Sequence, residues 1–163
     1  MRIALIVIPL VITMGIFLVT KMGATEIVSP GSVDVQERIA YHANFWNLKK
    51  ALVKAVAKVE SNFNPKIKNP LDPSFGLMQI TPGLAYDYGG IIRNWRNPSE
   101  SEIEMLMDID NNLTVACWFL DRLSKYDFQQ QIMSYNVGER GYKDGRRNYS
   151  YFNKVRDHYE SYN

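Results

Sequence analysis

The stretch AVAKVESNFNP, residues 55–65, ends an apolar helical pattern on a carboxylate, Glu60. At ~100° per residue, Glu60 falls about 40° outside the apolar face, beside Val56. Val56 is also its i−4 neighbour, so the helix supplies no lysine at that spacing. A carboxyl group at an apolar border, near the negative end of a helix dipole, ionises reluctantly. Glu60 is therefore a candidate general acid near neutral pH, and an ordinary solvated residue at a helix end is the alternative interpretation.

Other residue types that do chemistry are scarce. His42 and His158 are the only histidines, and neither has a partner at metal-ligand spacing. Cys117 is the only cysteine, and its helical phase with Leu113 and Leu120 predicts a buried thiol. We therefore expect no metal, no cofactor and no internal disulfide.

The helix that carries Glu60 is predicted to bury one face. Its apolar residues recur at i, i+3 and i+4 spacing: Leu48, Ala51, Leu52, Ala55, Val56 and Val59. Asn47 is the predicted N-cap of this helix, and an earlier helix opens at Asp34, where Glu37 has capping-box spacing.

The rest of the chain reads as helices joined by turns. Thr81 caps a short helix that ends at Gly89, and Asp108 caps a helix through about Ser124. Two more helical stretches flank an exposed, charged loop, SYNVGERGYKDGRRN, residues 134–148. No segment shows sustained period-2 alternation, so the predicted fold class is mainly α.

Residues 3–20, IALIVIPLVITMGIFLVT, carry no charge and lie between Arg2 and Lys21. Their 18 residues exceed the ~7–15 of a cleaved signal core and reach the ~17–25 that span a bilayer. We favour an uncleaved N-terminal hydrophobic helix that anchors the chain in the membrane, with a signal peptide cleaved near residues 22–24 as the alternative. The predicted organisation is a signal anchor or signal peptide over 1–24, a linker over 25–33 and one folded domain over 34–163.

The charge balance argues against one class of partner. The chain has 19 Lys and Arg against 17 Asp and Glu, and without Arg2 and Lys21 the counts are 17 and 17. Phosphate binding needs a marked basic surplus on the folded domain. We therefore expect no nucleic-acid partner.

Four motifs occur together in a familiar order and spacing. They are ALVKAVAKVESNFNP at 51–65, GLMQITP at 76–82, SYNVG at 134–138 and YFNKV at 151–155. In these motifs the chain resembles the lysozyme-like lytic transglycosylases, the SLT-type family related to goose-type lysozymes, over about residues 34–160. The resemblance implies a lysozyme-like single domain with a substrate cleft.

The resemblance also implies roles for matching residues in the first two motifs. Glu60 matches the single catalytic acid/base of the family, and Ser61 matches the residue that helps to hold substrate beside it. The second motif matches Gly76, Leu77, Met78 and Gln79. In the family its Met lines the cleft and its Gln hydrogen-bonds sugar.

The later motifs add further expected substrate contacts. Tyr135 and Asn136 match an aromatic and an amide of the family, whereas Ser134 stands where the family has Ala. Tyr151 matches a later cleft tyrosine, with Tyr149 as a nearby alternative.

The implied reaction is cleavage of the β-1,4 bond between N-acetylmuramic acid and N-acetylglucosamine in peptidoglycan glycan strands. Where no second carboxylate assists, the muramoyl 6-hydroxyl attacks and leaves 1,6-anhydromuramoyl ends. Asp72 and Asp87 are the candidates for a second carboxylate, and turn chemistry also explains both. The alternatives are a hydrolytic muramidase on the same fold and a non-catalytic peptidoglycan-binding assembly module.

The resemblance further implies a location and candidate partners. An enzyme of this kind acts outside the cytoplasmic membrane, anchored there and facing the periplasm or cell wall, or secreted if the N-terminal segment is cleaved. Single-domain members of the family often serve secretion systems, conjugation apparatus or phage particles. Such a wall-crossing machine is a candidate partner, and the sequence does not choose among them.

Overall fold

A computed structural model describes residues 34–163 of the chain. Within that range the helices are α1 (Val35–Phe45), α2 (Lys50–Ser61), α3 (Pro82–Tyr88), α4 (Glu100–Met107), α5 (Ile109–Arg122), α6 (Phe128–Val137), α7 (Glu139–Lys143) and α8 (Tyr149–Tyr162). The β pairing of these residues consists of two isolated antiparallel bridges, Lys68 with Phe75 and Phe75 with Ile80. The predicted mainly α fold class is confirmed.

Helix α2 contributes much of the hydrophobic core. It packs against α8 and α1. Ala55 and Val56 of the predicted apolar face are fully buried, but so are Val53 and Ala57, which lie outside that face. The buried surface of α2 is thus broader than the predicted stripe, because two helices cover it.

Helix α5 also crosses the core, and it carries the single cysteine. Cys117 is fully buried, as predicted. Burial raises the pKa of its thiol to about 12, so the group stays protonated and unreactive at neutral pH.

Most of the predicted helix caps are present. Thr81 caps α3 by accepting from the Leu84 N–H, and Gly89 ends that helix. Asp108 caps α5, and Asp34 caps α1. The Asp34 carboxylate accepts from the N–H of Gln36 rather than from that of Glu37, so the predicted capping box at this end is wrong.

The predicted N-cap of α2 is also wrong. Lys49 occupies the cap position, and its side chain makes no capping hydrogen bond. Asn47 instead adopts a left-handed conformation (φ 51°) in the turn after α1. Asparagine tolerates this conformation better than most residues, which explains why it forms the turn.

The charged stretch 134–148 is less loop-like than predicted. It contains the end of α6 and the short helix α7. The side chain of Arg146 lies against the backbone of Gly141, where an added Cβ would come within 2.5 Å of the guanidinium. Gly141 is buried as a result, whereas residues 143–147 are exposed as predicted.

The predicted N-terminal hydrophobic helix over residues 3–20 lies outside the described residues. None of the helices found between residues 34 and 163 is long and apolar enough to cross a membrane.

Candidate active site

A cavity of about 280 Å³ lies at the C-terminal end of α2. Its wall combines α2, the loop before α3, α5 and α6. Its lining includes Glu60, Asp72, Ser74, Gln79, Phe119, Tyr135 and Asn136. Residues from three separate sequence motifs therefore meet at one surface.

Local backbone geometry brings Glu60 to this cavity. Helix α2 ends at Ser61, and Asn62 follows in a left-handed conformation (φ 53°). Glu60 thus occupies the last turn of a buried helix, where its side chain is half-buried and lines the cavity.

Tyr151 is the hydrogen-bond partner of Glu60. Its hydroxyl donates to Oε1 of Glu60 at 2.6 Å. Asn148 sets the position of this tyrosine, since the Asn148 side chain caps α8 by accepting from the Tyr151 N–H at 3.0 Å. The neighbouring Tyr149 is 58% exposed. Of the two tyrosines left open by the sequence, Tyr151 is the one that contacts Glu60.

The surroundings of Glu60 disfavour its charged form. Burial raises the pKa of the carboxyl to about 7, and the hydrogen bond from Tyr151 works in the opposite direction. Desolvation is the larger of the two effects. Near neutral pH the carboxyl is therefore divided between its protonated and ionised forms, as a group that gives and then takes a proton requires.

A second buried phenol, Tyr135, lies near Glu60. Its hydroxyl donates to the backbone carbonyl of Met78 at 3.0 Å. Burial raises the pKa of Tyr135 and of Tyr151 well above the ordinary value, and the Glu60 carboxylate adds to both shifts. Both phenols stay protonated at neutral pH and act as donors.

The loop over residues 75–80 forms one wall of the cavity. Phe75 and Ile80 exchange two backbone hydrogen bonds of 3.0 Å, which close the loop. Gln79 has a left-handed backbone (φ 49°) inside it. Its side-chain amide is held at both ends: Oε1 accepts from the Ser74 hydroxyl at 2.9 Å, and Nε2 donates to the Gly76 carbonyl at 2.9 Å. One lone pair on Oε1 is left for another donor.

Asn136 lines the same cavity. Its Oδ1 accepts from Nδ2 of Asn148 at 2.9 Å. The amide nitrogen of Asn136 can donate to a ligand, and Oδ1 keeps one further lone pair.

Other residues of the matched motifs point away from the cavity. Leu77 and Met78 are fully buried in the core. Ser61 is 5% exposed, and its hydroxyl donates to the carbonyl of Ala57 in its own helix at 3.2 Å. Gly76 and Met78 take part in the site through their backbone carbonyls, which accept from Gln79 and Tyr135.

The two candidate second carboxylates lie in different places. Asp72 is exposed and lines the same cavity as Glu60. Asp87 lines a neighbouring groove together with Trp118 and Arg122. Among residues 34–163, no group of three or more His, Cys, Asp and Glu side chains is arranged to hold a metal ion.

Sequence reasoning missed several residues of this site. Ser74, Phe119 and Asn148 orient or line the cavity, yet none belongs to a matched motif. A cap signal was available for Asn148, because an asparagine before a helical stretch is a preferred N-cap.

Comparison with known proteins identifies related chains. Residues 37–157 match the family model described as the Transglycosylase SLT domain. The soluble lytic murein transglycosylases of Escherichia coli K12 and of Escherichia coli O157:H7 are each 33% identical to this chain over 87 residues. Each alignment covers 52% of this chain and 13% of the relative, so this chain spans a small part of those proteins.

A solved structure has a similar fold. It is the X-ray structure of an inactive mutant of the lytic transglycosylase Slt from Pseudomonas aeruginosa, with a TM-score of 0.53 and 19% identity. The match covers 74% of this chain and 20% of that one. At this identity it shows only that the folds are similar. The family match runs from α1 to α8 and includes the cavity with Glu60, and this chain belongs to the Transglycosylase SLT domain family.

Proposed function

We propose that this protein is a peptidoglycan lytic transglycosylase. In this proposal it cleaves the β-1,4 bond between N-acetylmuramic acid and N-acetylglucosamine and leaves 1,6-anhydromuramoyl ends. The observation that carries the proposal is the Glu60 carboxyl, whose pKa is raised to about 7 in a cavity shared with residues of two other family motifs.

The first step is protonation of the leaving oxygen by Glu60. Because the Tyr151 hydroxyl donates to Oε1, the acidic proton of Glu60 belongs on Oε2. Transfer of that proton to the bridging oxygen lets the bond to muramoyl C1 break, and the muramoyl ring acquires oxocarbenium character.

The second step uses the substrate itself as nucleophile. The 6-hydroxyl of the muramoyl ring bonds to C1, and the ionised Glu60 takes the hydroxyl proton. The new bond closes a 1,6-anhydro ring and water is not consumed. The proton that Glu60 gave stays on the leaving hydroxyl, and Glu60 is protonated again by the proton of the 6-hydroxyl. An attacking group within the same ring has a high effective concentration, so this route needs no second carboxylate.

Substrate binding is proposed for the residues around Glu60. Gln79 offers the free lone pair on its Oε1 to a sugar N–H or hydroxyl, and Asn136 offers its amide nitrogen. Tyr135 contributes to the cavity wall. For Ser61, Gly76, Leu77 and Met78 we propose an indirect part, since these residues build the last turn of α2 and the loop that carries Gln79.

A hydrolytic muramidase is the second candidate function, and Asp72 is the observation that favours it. This carboxylate lines the same cavity as Glu60, where it is exposed to solvent. As a general base it would activate a water that attacks C1, and the product would then be a reducing end. The mass of the product separates the two reactions.

We further propose that the enzyme acts at the outer side of the cytoplasmic membrane. Support comes from the uncharged stretch over residues 3–20 and from the wall substrate of the proposed reaction. An uncleaved segment would keep the enzyme anchored and facing the wall, and a cleaved one would release it. A secretion, conjugation or phage machine that crosses the wall is the proposed partner class.

The direct test of the assignment is Glu60→Gln. The amide has the same shape but cannot donate the proton, so clearing of purified peptidoglycan should slow at least ~100-fold while the melting temperature does not fall. A folded variant that clears peptidoglycan at the wild-type rate would refute the proposal.

A further inference from the structure

Asn112 is a polar residue in the hydrophobic core, on α5. It is fully buried, and its side-chain amide makes three hydrogen bonds to backbone groups. Oδ1 accepts from the N–H of Met78 at 2.7 Å, and Nδ2 donates to the carbonyls of Phe75 at 2.9 Å and Leu106 at 2.8 Å. Both donors of the amide are in use, and two of the three bonds go to the loop that carries Gln79.

The glycine of the loop fits this amide closely. Gly76 has φ +77°, and a Cβ added there would lie 2.6 Å from Nδ2 of Asn112. A side chain at position 76 would therefore need a strained backbone and a displaced Asn112. Gly76 and Asn112 are thus in direct contact, and the absence of a side chain at Gly76 leaves room for the Asn112 amide.

The bond to Met78 connects Asn112 to the cavity. The N–H of Met78 donates to Asn112 on α5, and the carbonyl of Met78 accepts from the Tyr135 hydroxyl on α6 at 3.0 Å. The backbone of Met78 is thus held from two helices. The next residue is Gln79, whose left-handed backbone (φ 49°) is unfavourable for a residue other than glycine and needs such support.

We propose that Asn112 is a positioning residue that holds the loop over residues 75–80 in the shape that presents Gln79 to the glycan. Asn112 does not itself line the cavity. The identity of the ligand in this inference rests on the proposed function. The effect of Asn112 on the shape of the loop does not depend on that function. A residue needed only for packing would stabilise the whole domain equally, whereas a positioning residue affects loop order and glycan affinity.

The test replaces Asn112 by Leu, which has nearly the same size and forms none of the three hydrogen bonds. Gly76→Ala disrupts the same contact from the loop side. It is the second variant to be measured if Asn112→Leu fails to fold. Leu123→Ala is the matched control. Leu123 is fully buried at the far end of the same helix, so its truncation lowers stability without touching the loop.

Two quantities are measured in full-length protein. The first is the rate of amide hydrogen exchange at Met78. This rate should be at least about tenfold faster in the two loop variants, Asn112→Leu and Gly76→Ala. In Leu123→Ala it should change no more than the loss of global stability accounts for. The second is affinity for the N-acetylglucosamine tetramer in a Glu60→Gln background, which should fall about tenfold in the loop variants alone. In the otherwise wild-type enzyme, KM should rise while the pH at which activity declines stays in place.

Unchanged exchange at Met78 would overturn the inference, and so would faster exchange with unchanged affinity and KM. Failure of the wild-type protein to bind the tetramer and to cleave peptidoglycan would overturn the proposed function instead. The exchange at Met78 would still decide whether Asn112 holds the loop.

Discussion

The Tyr151 hydroxyl lies 2.6 Å from Oε1 of Glu60 and joins the first turn of α8 to the last turn of α2. The phenol stays protonated because burial raises its pKa, so it is a permanent donor to one oxygen of the carboxyl. The other oxygen keeps the titrating proton. This contact thus fixes both the orientation of Glu60 and the site of its acidic proton.

Removing this contact should change the pH dependence of the reaction. The hydrogen bond from Tyr151 lowers the pKa of Glu60, so Tyr151→Phe should raise it further. The decline of activity at high pH should then move to higher pH, and the maximum rate should fall about tenfold because the carboxyl loses its orientation. Tyr149→Phe, at an exposed position, is the control for pH–rate profiles. A profile that moves to lower pH would contradict the geometry.

Glu60 should also make stability depend on pH. Its folded-state pKa is about 7 against an ordinary 4.5, so the folded protein binds this proton more tightly than the unfolded chain does. The resulting stabilisation is present below pH 4.5 and is lost as the pH rises through about 7, by up to ~3 kcal/mol. The free energy of unfolding is measured with urea at about pH 5 and pH 8. Relative to wild type, Glu60→Gln should be more stable at the higher pH than at the lower one. A variant that loses stability relative to wild type between these two values would exclude a raised pKa.

Ser134 should be a source of instability. It is fully buried, and its hydroxyl has no hydrogen-bond partner among residues 34–163. Burying an unpaired hydroxyl costs ~1–3 kcal/mol, so Ser134→Ala should raise the free energy of unfolding by about 1 kcal/mol. Ser61→Ala is the control, because the Ser61 hydroxyl is bonded to the Ala57 carbonyl and its loss should bring no gain. Equal or lower stability of Ser134→Ala would show that the hydroxyl is paired in solution.

Asp72 should be dispensable for the reaction. If the muramoyl 6-hydroxyl is the nucleophile, Asp72→Asn should leave the rate within about threefold of wild type, since no general base for water is needed. The rate is measured on purified peptidoglycan, with Asp87→Asn in the neighbouring groove as the matched variant. A loss of ~100-fold confined to Asp72→Asn would identify it as the partner of Glu60 in a hydrolase.

The sequence was informative where one residue type serves one local purpose. Thr81 and Asp108 are predictable caps because their side chains satisfy helix N–H groups within three residues. Asn47 is not predictable in this way, because the same side chain suits both a cap and a left-handed turn. Nothing local distinguishes the two uses.

The site was predictable as a set of motifs but less so as a set of contacts. Met78 and Gln79 are adjacent in one motif, yet one side chain is in the core and the other lines the cavity. Which of them faces the cavity depends on the turn of the loop, and that turn is held by Asn112 from another helix. A signal for Asn112 existed: it lies three residues after Ile109 and four before Ala116, on the apolar face of α5, where a polar residue needs buried partners.

The product of the reaction tests the proposed mechanism most directly. Purified peptidoglycan is digested with the protein, and the masses of the released muropeptides are measured by mass spectrometry. Glu60→Gln is the negative control. Attack by the muramoyl 6-hydroxyl excludes water, so the products should end in 1,6-anhydromuramic acid and be lighter by one water than hydrolytic products. Reducing ends as the main product would contradict the mechanism and identify the protein as a muramidase.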